Sequence, residues 1–153
     1  MEIIGISSAE AEKYLDALND LIVTTIKLPE AAIQHYINQW TIDRMKSCVD
    51  SWVFIEAREQ DKLEGVVLGT PVEGGVGTII WLLVNNHKQK KGVGSILFRE
   101  ACRIYKEKGA HKVKLTVPDE LTIDFYVKQG MKLEGVHKNH WWNCDFWAMG
   151  IQL

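Results

Sequence analysis

Ile79-Ile80-Trp81-Leu82-Leu83-Val84, followed four residues later by Gln89-Lys90-Lys91-Gly92-Val93-Gly94, is the stretch from which the rest of the chain can be read. The first six residues predict a buried strand. The second six predict a tight glycine turn that opens a helix. Gly92 and Gly94 fall in its first turn, where each costs about 1 kcal/mol relative to alanine. That cost is tolerated where a side chain would fill the space of a bound oxygen. A strand that enters a helix in this way leaves several N–H groups unpaired and aims the positive end of the helix dipole at one point. The pattern predicts a corner that holds phosphate. A GxxxxGK[ST] loop is absent. The third glycine of a dinucleotide fingerprint is also missing, because Leu97 stands three residues past Gly94.

On the N-terminal side of this stretch, Glu2–Ile6 reads as a first strand, and Ser7 or Ser8 as the cap of a helix. Tyr14, Leu15, Leu18, Leu21 and Ile22 recur at helical spacing. Pro29 restarts the chain into a second helix that runs to Trp40. Trp52–Ala57, Gly65–Val72 and Val76–Val84 follow as three strands with short polar connections, an antiparallel meander. An amphipathic helix from Val93 ends at Gly109 and leads to the alternating strand Lys112–Val117. This strand–helix–strand unit predicts a parallel pair with a right-handed crossover. Pro118-Asp119 opens another helix, closed by Gly130, and two strands near 132–137 and 143–152 finish the chain. The whole predicts an α/β (α+β) fold in one domain over 1–153. Its sheet is mixed and mostly antiparallel, with a parallel pair at its centre and helices on both faces.

At 153 residues the chain can bury roughly two-thirds of its unfolded surface. A net charge of -2 offers no footprint for nucleic acid. No apolar run reaches the roughly 18 residues of a membrane span, and the N-terminus lacks the pattern of a signal peptide. Cys48, Cys102 and Cys144 are odd in number and scattered, which points to a reducing compartment, the cytoplasm. His137, His140 and Cys144 are too irregularly spaced to predict a metal site, and His35, His87 and His111 read as surface or cap residues.

Val84 through Gly94 resembles the signature [QR]-x-x-G-x-[GA] of the GCN5-related N-acetyltransferases, which follows a strand ending in valine. Asp119–Met131, with Phe125-Tyr126 and Gly130, is similar to the family's next motif. The tail 145–153 looks like its last strand. The order of elements matches over nearly the whole chain. The resemblance implies acetyl-coenzyme A as cofactor, in an acyl-CoA N-acyltransferase fold. Backbone amides of Gln89, Lys90, Lys91, Gly92, Val93, Gly94 and Ser95 would cradle its diphosphate. Leu83 and Val84 would lie along its pantetheine arm, and the Val84 amide would polarise the thioester carbonyl. Lys88, Lys90 and Lys91 would either meet the remaining phosphate charge or form a solvated basic loop. Asp119 and Tyr126 complete the implied cofactor set. Asp119 stands where the family has asparagine, so a capping role survives but a donated hydrogen bond does not.

The implied reaction transfers an acetyl group to a primary amine of a small molecule or peptide. Tyr126 matches the position that supplies a proton to the departing thiol. The strand Val76–Val84 carries no carboxylate, which leaves Glu73 as the candidate base, with Glu120 second. The missing strand carboxylate also keeps open a non-catalytic module that only binds acyl-coenzyme A. The family's acceptor segments correspond to 26–30 and 138–142. Trp141-Trp142 would wall a pocket or close a homodimer contact. Together with Ile26-Lys27-Leu28 they suggest an amine of some hydrophobic character.

Overall fold

A computed structural model describes residues 1–153. Strand β1 is Glu2–Gly5, and helices α1, α2 and α3 are Ala11–Thr25, Glu30–Asn38 and Ile42–Cys48. The meander is β2 Val53–Glu59, β3 Lys62–Gly69 and β4 Val76–Val84. Helix α4 is Val93–Glu107, β5 is Lys112–Val117 and α5 is Ile123–Lys128. Strands β6, Lys132–His137, and β7, Phe146–Gln152, end the chain. All seven strands form one sheet in the order β1-β2-β3-β4-β5-β7-β6, and β4–β5 is its parallel pair. This is the mixed sheet that the sequence predicts. No helix is long and apolar enough to cross a membrane.

Three boundaries differ from the sequence reading, each for a local reason. Thr41 accepts a hydrogen bond from the Arg44 amide at 3.1 Å and starts α3, a helix that the periodicity did not predict. Strand β3 runs over 62–69 rather than 65–72. Gln60 and Asp61 make a two-residue turn with φ of 51° and 61°, and Pro71 has no N–H to extend the ladder. Strand β7 begins at Phe146 because Trp141–Asn143 is taken up in a short 3₁₀ turn.

The sheet is covered on both faces. Leu97, Phe98, Ala101 and Tyr105 of α4 pack with Ile55, Val67, Val113 and Met149 on one side. Tyr14, Leu18, Leu21 and Ile22 of α1 pack with Phe54, Val66 and Leu83 on the other. Strand β4 is irregular in two respects. First, it pairs with β5 only through Val76, Gly77 and Thr78. Beyond Thr78 the two central strands diverge and leave a wedge between them. Second, the β3–β4 register shifts between Leu68 and Gly69, which pair with Trp81 and Ile79, so Ile80 is an extra, bulged residue. Strict alternation would put Trp81 on the same face as Ile79. The bulge sends Ile79, Leu82 and Val84 to the α4 face and Trp81 and Leu83 to the α1 face.

Candidate active site

The turn after β4 carries the feature that the sequence predicts, and it divides the labour of the two glycines. Lys90 and Gly92 are both left-handed, with φ of 61° and 86°. Such reversals turn successive N–H groups to one side and form an anion-binding nest. The first backbone bond of α4 runs from the Ile96 amide to the Gly92 carbonyl, 3.1 Å. The N–H groups of Lys90, Lys91, Gly92, Val93, Gly94 and Ser95 have no acceptor within the protein. Gln89 is different: its own amide reaches Asn86 O, 3.4 Å. A Cβ at Gly92 would meet nothing within 4 Å, so glycine is needed there for its backbone angle. A Cβ at Gly94 would lie 3.2 Å from the Phe125 ring and 3.7 Å from Leu82. Gly94 therefore serves the close approach of α5 rather than room for an oxygen.

Side chains fix this corner to its surroundings. Gln89 Nε2 donates to Val84 O and to Asn86 Oδ1, both at 3.1 Å, and so clasps the loop to the end of β4. Gln129 Nε2 donates to Ser95 Oγ at 2.9 Å and ties α5 to the start of α4. Asp119 accepts from the Leu121 amide at 2.9 Å and caps the 3₁₀ turn before α5, which occupies its side chain as an acceptor. Of the three lysines, Lys88 is ion-paired with Glu59, while Lys90 and Lys91 are exposed beside the open amides.

Along β4, the Asn85 amide bonds to Glu64 O at 2.9 Å. The alternation of antiparallel pairing then turns the N–H and C=O of Leu83 toward β3, and those of Leu82 and Val84 toward the wedge. Leu83 is thus spent on the sheet, and Leu82 is the residue that the sequence reading missed. Parity along the strand would have found it, since groups facing one edge recur every second residue. Gln89 holds the Val84 carbonyl, and the amides of Leu82 and Val84 face the gap.

Tyr126 is 7% exposed and lies edge-on to Phe98 and Phe125, with centroids 6.0 and 4.9 Å away. Burial alone pushes its phenol above the usual tyrosine range, so it stays protonated at neutral pH. Glu73 closes the Gly74-Gly75 hairpin at the start of β4, and the strand that follows puts about 26 Å between that end and Val84. It lines a pocket bordered by Thr78 and Lys114. Glu120 is exposed on the turn before α5.

On the α1 face, a cavity of about 560 Å³ opens against the wedge. Leu28 and the Trp141-Trp142 pair line it, as the sequence suggested. Tyr36 and His35 of α2, Trp81 and His137 line it too, and these came from no motif. His35, expected to be a surface or cap residue, is exposed and stands at the cavity's edge. His137 stacks on His140 at 4.8 Å, and the Cys144 thiol donates instead to Trp142 O at 3.4 Å. The cavity's carboxylate, Glu134, is held through both oxygens by Lys112 at 2.8 and 2.6 Å.

An open amide nest, a wedge between parallel strands and a cavity across the wedge are brought together at one place. The family model of the acetyltransferase (GNAT) family matches residues 16–131. The chain belongs to the GNAT acetyltransferase family. Members of this family take their acetyl group from acetyl-coenzyme A. An acetyltransferase of the GNAT family from Streptococcus pneumoniae superposes with a TM-score of 0.81 at 18% identity, over 99% of each chain. A PaiA N-acetyltransferase from Thermoplasma acidophilum in complex with coenzyme A gives 0.76 at 18%, over 99% of this chain and 98% of that one. The ribosomal-protein-S18-alanine N-acetyltransferase from Escherichia coli gives 0.74 at 12%, over 99% and 92%. No curated protein matches in sequence. At these identities the likeness is one of fold.

Proposed function

We propose that this GNAT protein is an N-acetyltransferase that acts on a primary amine of a small molecule or peptide. One observation carries the reading: six successive unpaired amides, Lys90 to Ser95, border the mouth of a wedge whose other side opens on a cavity. The residues fit a diphosphate. The nest would hold it through N–H donors, with Lys90 and Lys91 adding charge. Bound acetyl-coenzyme A supplies the acetyl group as a thioester.

The remaining roles fall to the chain itself. The amides of Leu82 and Val84 face the wedge, where they would stabilise negative charge growing on the carbonyl oxygen. Tyr126 would hold its proton and donate a hydrogen bond to the leaving sulfur. With a phenol pushed upward by burial, complete proton transfer to a thiolate is uphill, so stabilisation through the hydrogen bond is the larger effect. Asp119 acts by capping. Glu73 takes no part in this reading. His35 and His137 line the cavity, where an imidazole nitrogen would accept the proton that the amine gives up. Free Cys48, Cys102 and Cys144 support a reducing, cytoplasmic setting.

The test is thiol release from acetyl-coenzyme A, with and without a panel of primary amines. Release that depends on amine is expected. Coenzyme A binding without any amine-dependent release would instead favour the non-catalytic module. Absence of binding would remove both readings.

A further inference from the structure

The acceptor cavity has a chemical character of its own. Tyr36 stands between two tryptophans from distant parts of the chain. Its ring centroid is 5.0 Å from Trp81 at 85° and 6.1 Å from Trp142 at 75°. Trp142 Nε1 donates to Tyr36 Oη at 3.1 Å, and His35 lies 5.4 Å from the same indole. Trp142 holds this position in a left-handed conformation, φ 59° and ψ 29°, between two further left-handed residues, Asn139 and Asn143. A bulky residue rarely adopts such angles, and persistent strain of this kind gathers at ligand sites. Trp81 reaches the wall only because β4 bulges at Ile80.

The charges of the cavity oppose a polycation. Glu134, its one carboxylate, is neutralised by Lys112. Lys114, also in the lining, makes no ion pair. A substrate with several ammonium groups would lose hydration here and gain no counter-charge. A flat apolar body would instead pack against the cavity-facing side of this ring cluster.

We propose that the acceptor is an alkylamine that carries an aromatic ring and a single amino group, and that the Trp81–Tyr36–Trp142 wall selects it against polyamines. This rests on the acetyl-transfer reading above for the fate of the amine, but not for its binding. Calorimetry on the full chain, with coenzyme A present and absent, would compare tryptamine with spermidine, and thiol release would follow each with acetyl-coenzyme A. Tryptamine is expected to bind at least tenfold more tightly. Trp142→Ala should weaken tryptamine about tenfold or more and leave coenzyme A affinity unchanged. Lys114→Glu should raise spermidine affinity severalfold more than tryptamine affinity, because spermidine carries more ammonium groups. Equal or tighter binding of spermidine to the unaltered chain, an indifferent Trp142→Ala, or no binding of tryptamine in either arm would overturn the proposal. Tryptamine binding without any coenzyme A binding would sink the transferase reading and leave only the inferred preference for the amine standing.

Discussion

Replacing Gly92 with valine is expected to weaken coenzyme A binding by about 100-fold while the chain still folds. Gly92 sits at φ 86° as the left-handed residue before α4. A β-branched side chain there costs roughly 1–2 kcal/mol in backbone strain. A Cβ at this position meets no neighbour within 4 Å, so no packing is broken. The strain is relieved by turning the backbone, which points the amides of Gly92 and Val93 away from their common target. Hydrogen bonds to a charged partner contribute about 1.5–3 kcal/mol each, and 1.4 kcal/mol is tenfold. Losing one or two of them gives the expected drop. Gly92→Asn should be far milder, since asparagine tolerates left-handed angles. Calorimetric titration of both variants checks the pair. Equal losses would mean that the side chain's presence, and not the backbone angle, is what matters.

Tyr126→Phe is expected to lower kcat roughly 10- to 100-fold, the value of one hydrogen bond to a charged sulfur, with coenzyme A affinity nearly unchanged. The ring would keep its contacts with Phe98 and Phe125, so thermal stability should hold. The sign of the pH dependence follows from burial. The phenol titrates above its ordinary 10.0, so the protonated donor persists through pH 10 and kcat should show no fall from this group below that point. A falling limb well under pH 10 that vanishes in Tyr126→Phe would contradict the burial argument. Loss of coenzyme A affinity in step with kcat would make Tyr126 a structural residue.

The part of this site that lies close together in the chain was legible in the sequence. The apolar run into Gly92 and Gly94 announced a strand, a turn and a helix, and those three elements alone create the unpaired amides. The order of periodicities announced the parallel pair. What escaped depends on contacts between distant segments or on a single residue's parity. Gly94 is small because of Phe125, which sits in another helix. Leu82 rather than Leu83 faces the wedge because the Asn85 amide fixes which edge of β4 pairs with β3. Glu73 was the candidate base because it precedes β4, but the length of the strand separates it from Val84. The acceptor wall takes one ring each from α2, β4 and the loop before β7. The Ile80 bulge that turns Trp81 into it has no signature in an unbroken apolar run.

Every role proposed for this site depends on a diphosphate seated on the amides of residues 90–95. Amide proton–nitrogen spectra of the full chain, titrated with coenzyme A, read those groups one by one. Lys90, Lys91, Gly92, Val93, Gly94 and Ser95 are expected to show the largest downfield shifts and to saturate together. Saturable binding that leaves those six signals in place and moves amides elsewhere would contradict the assignment.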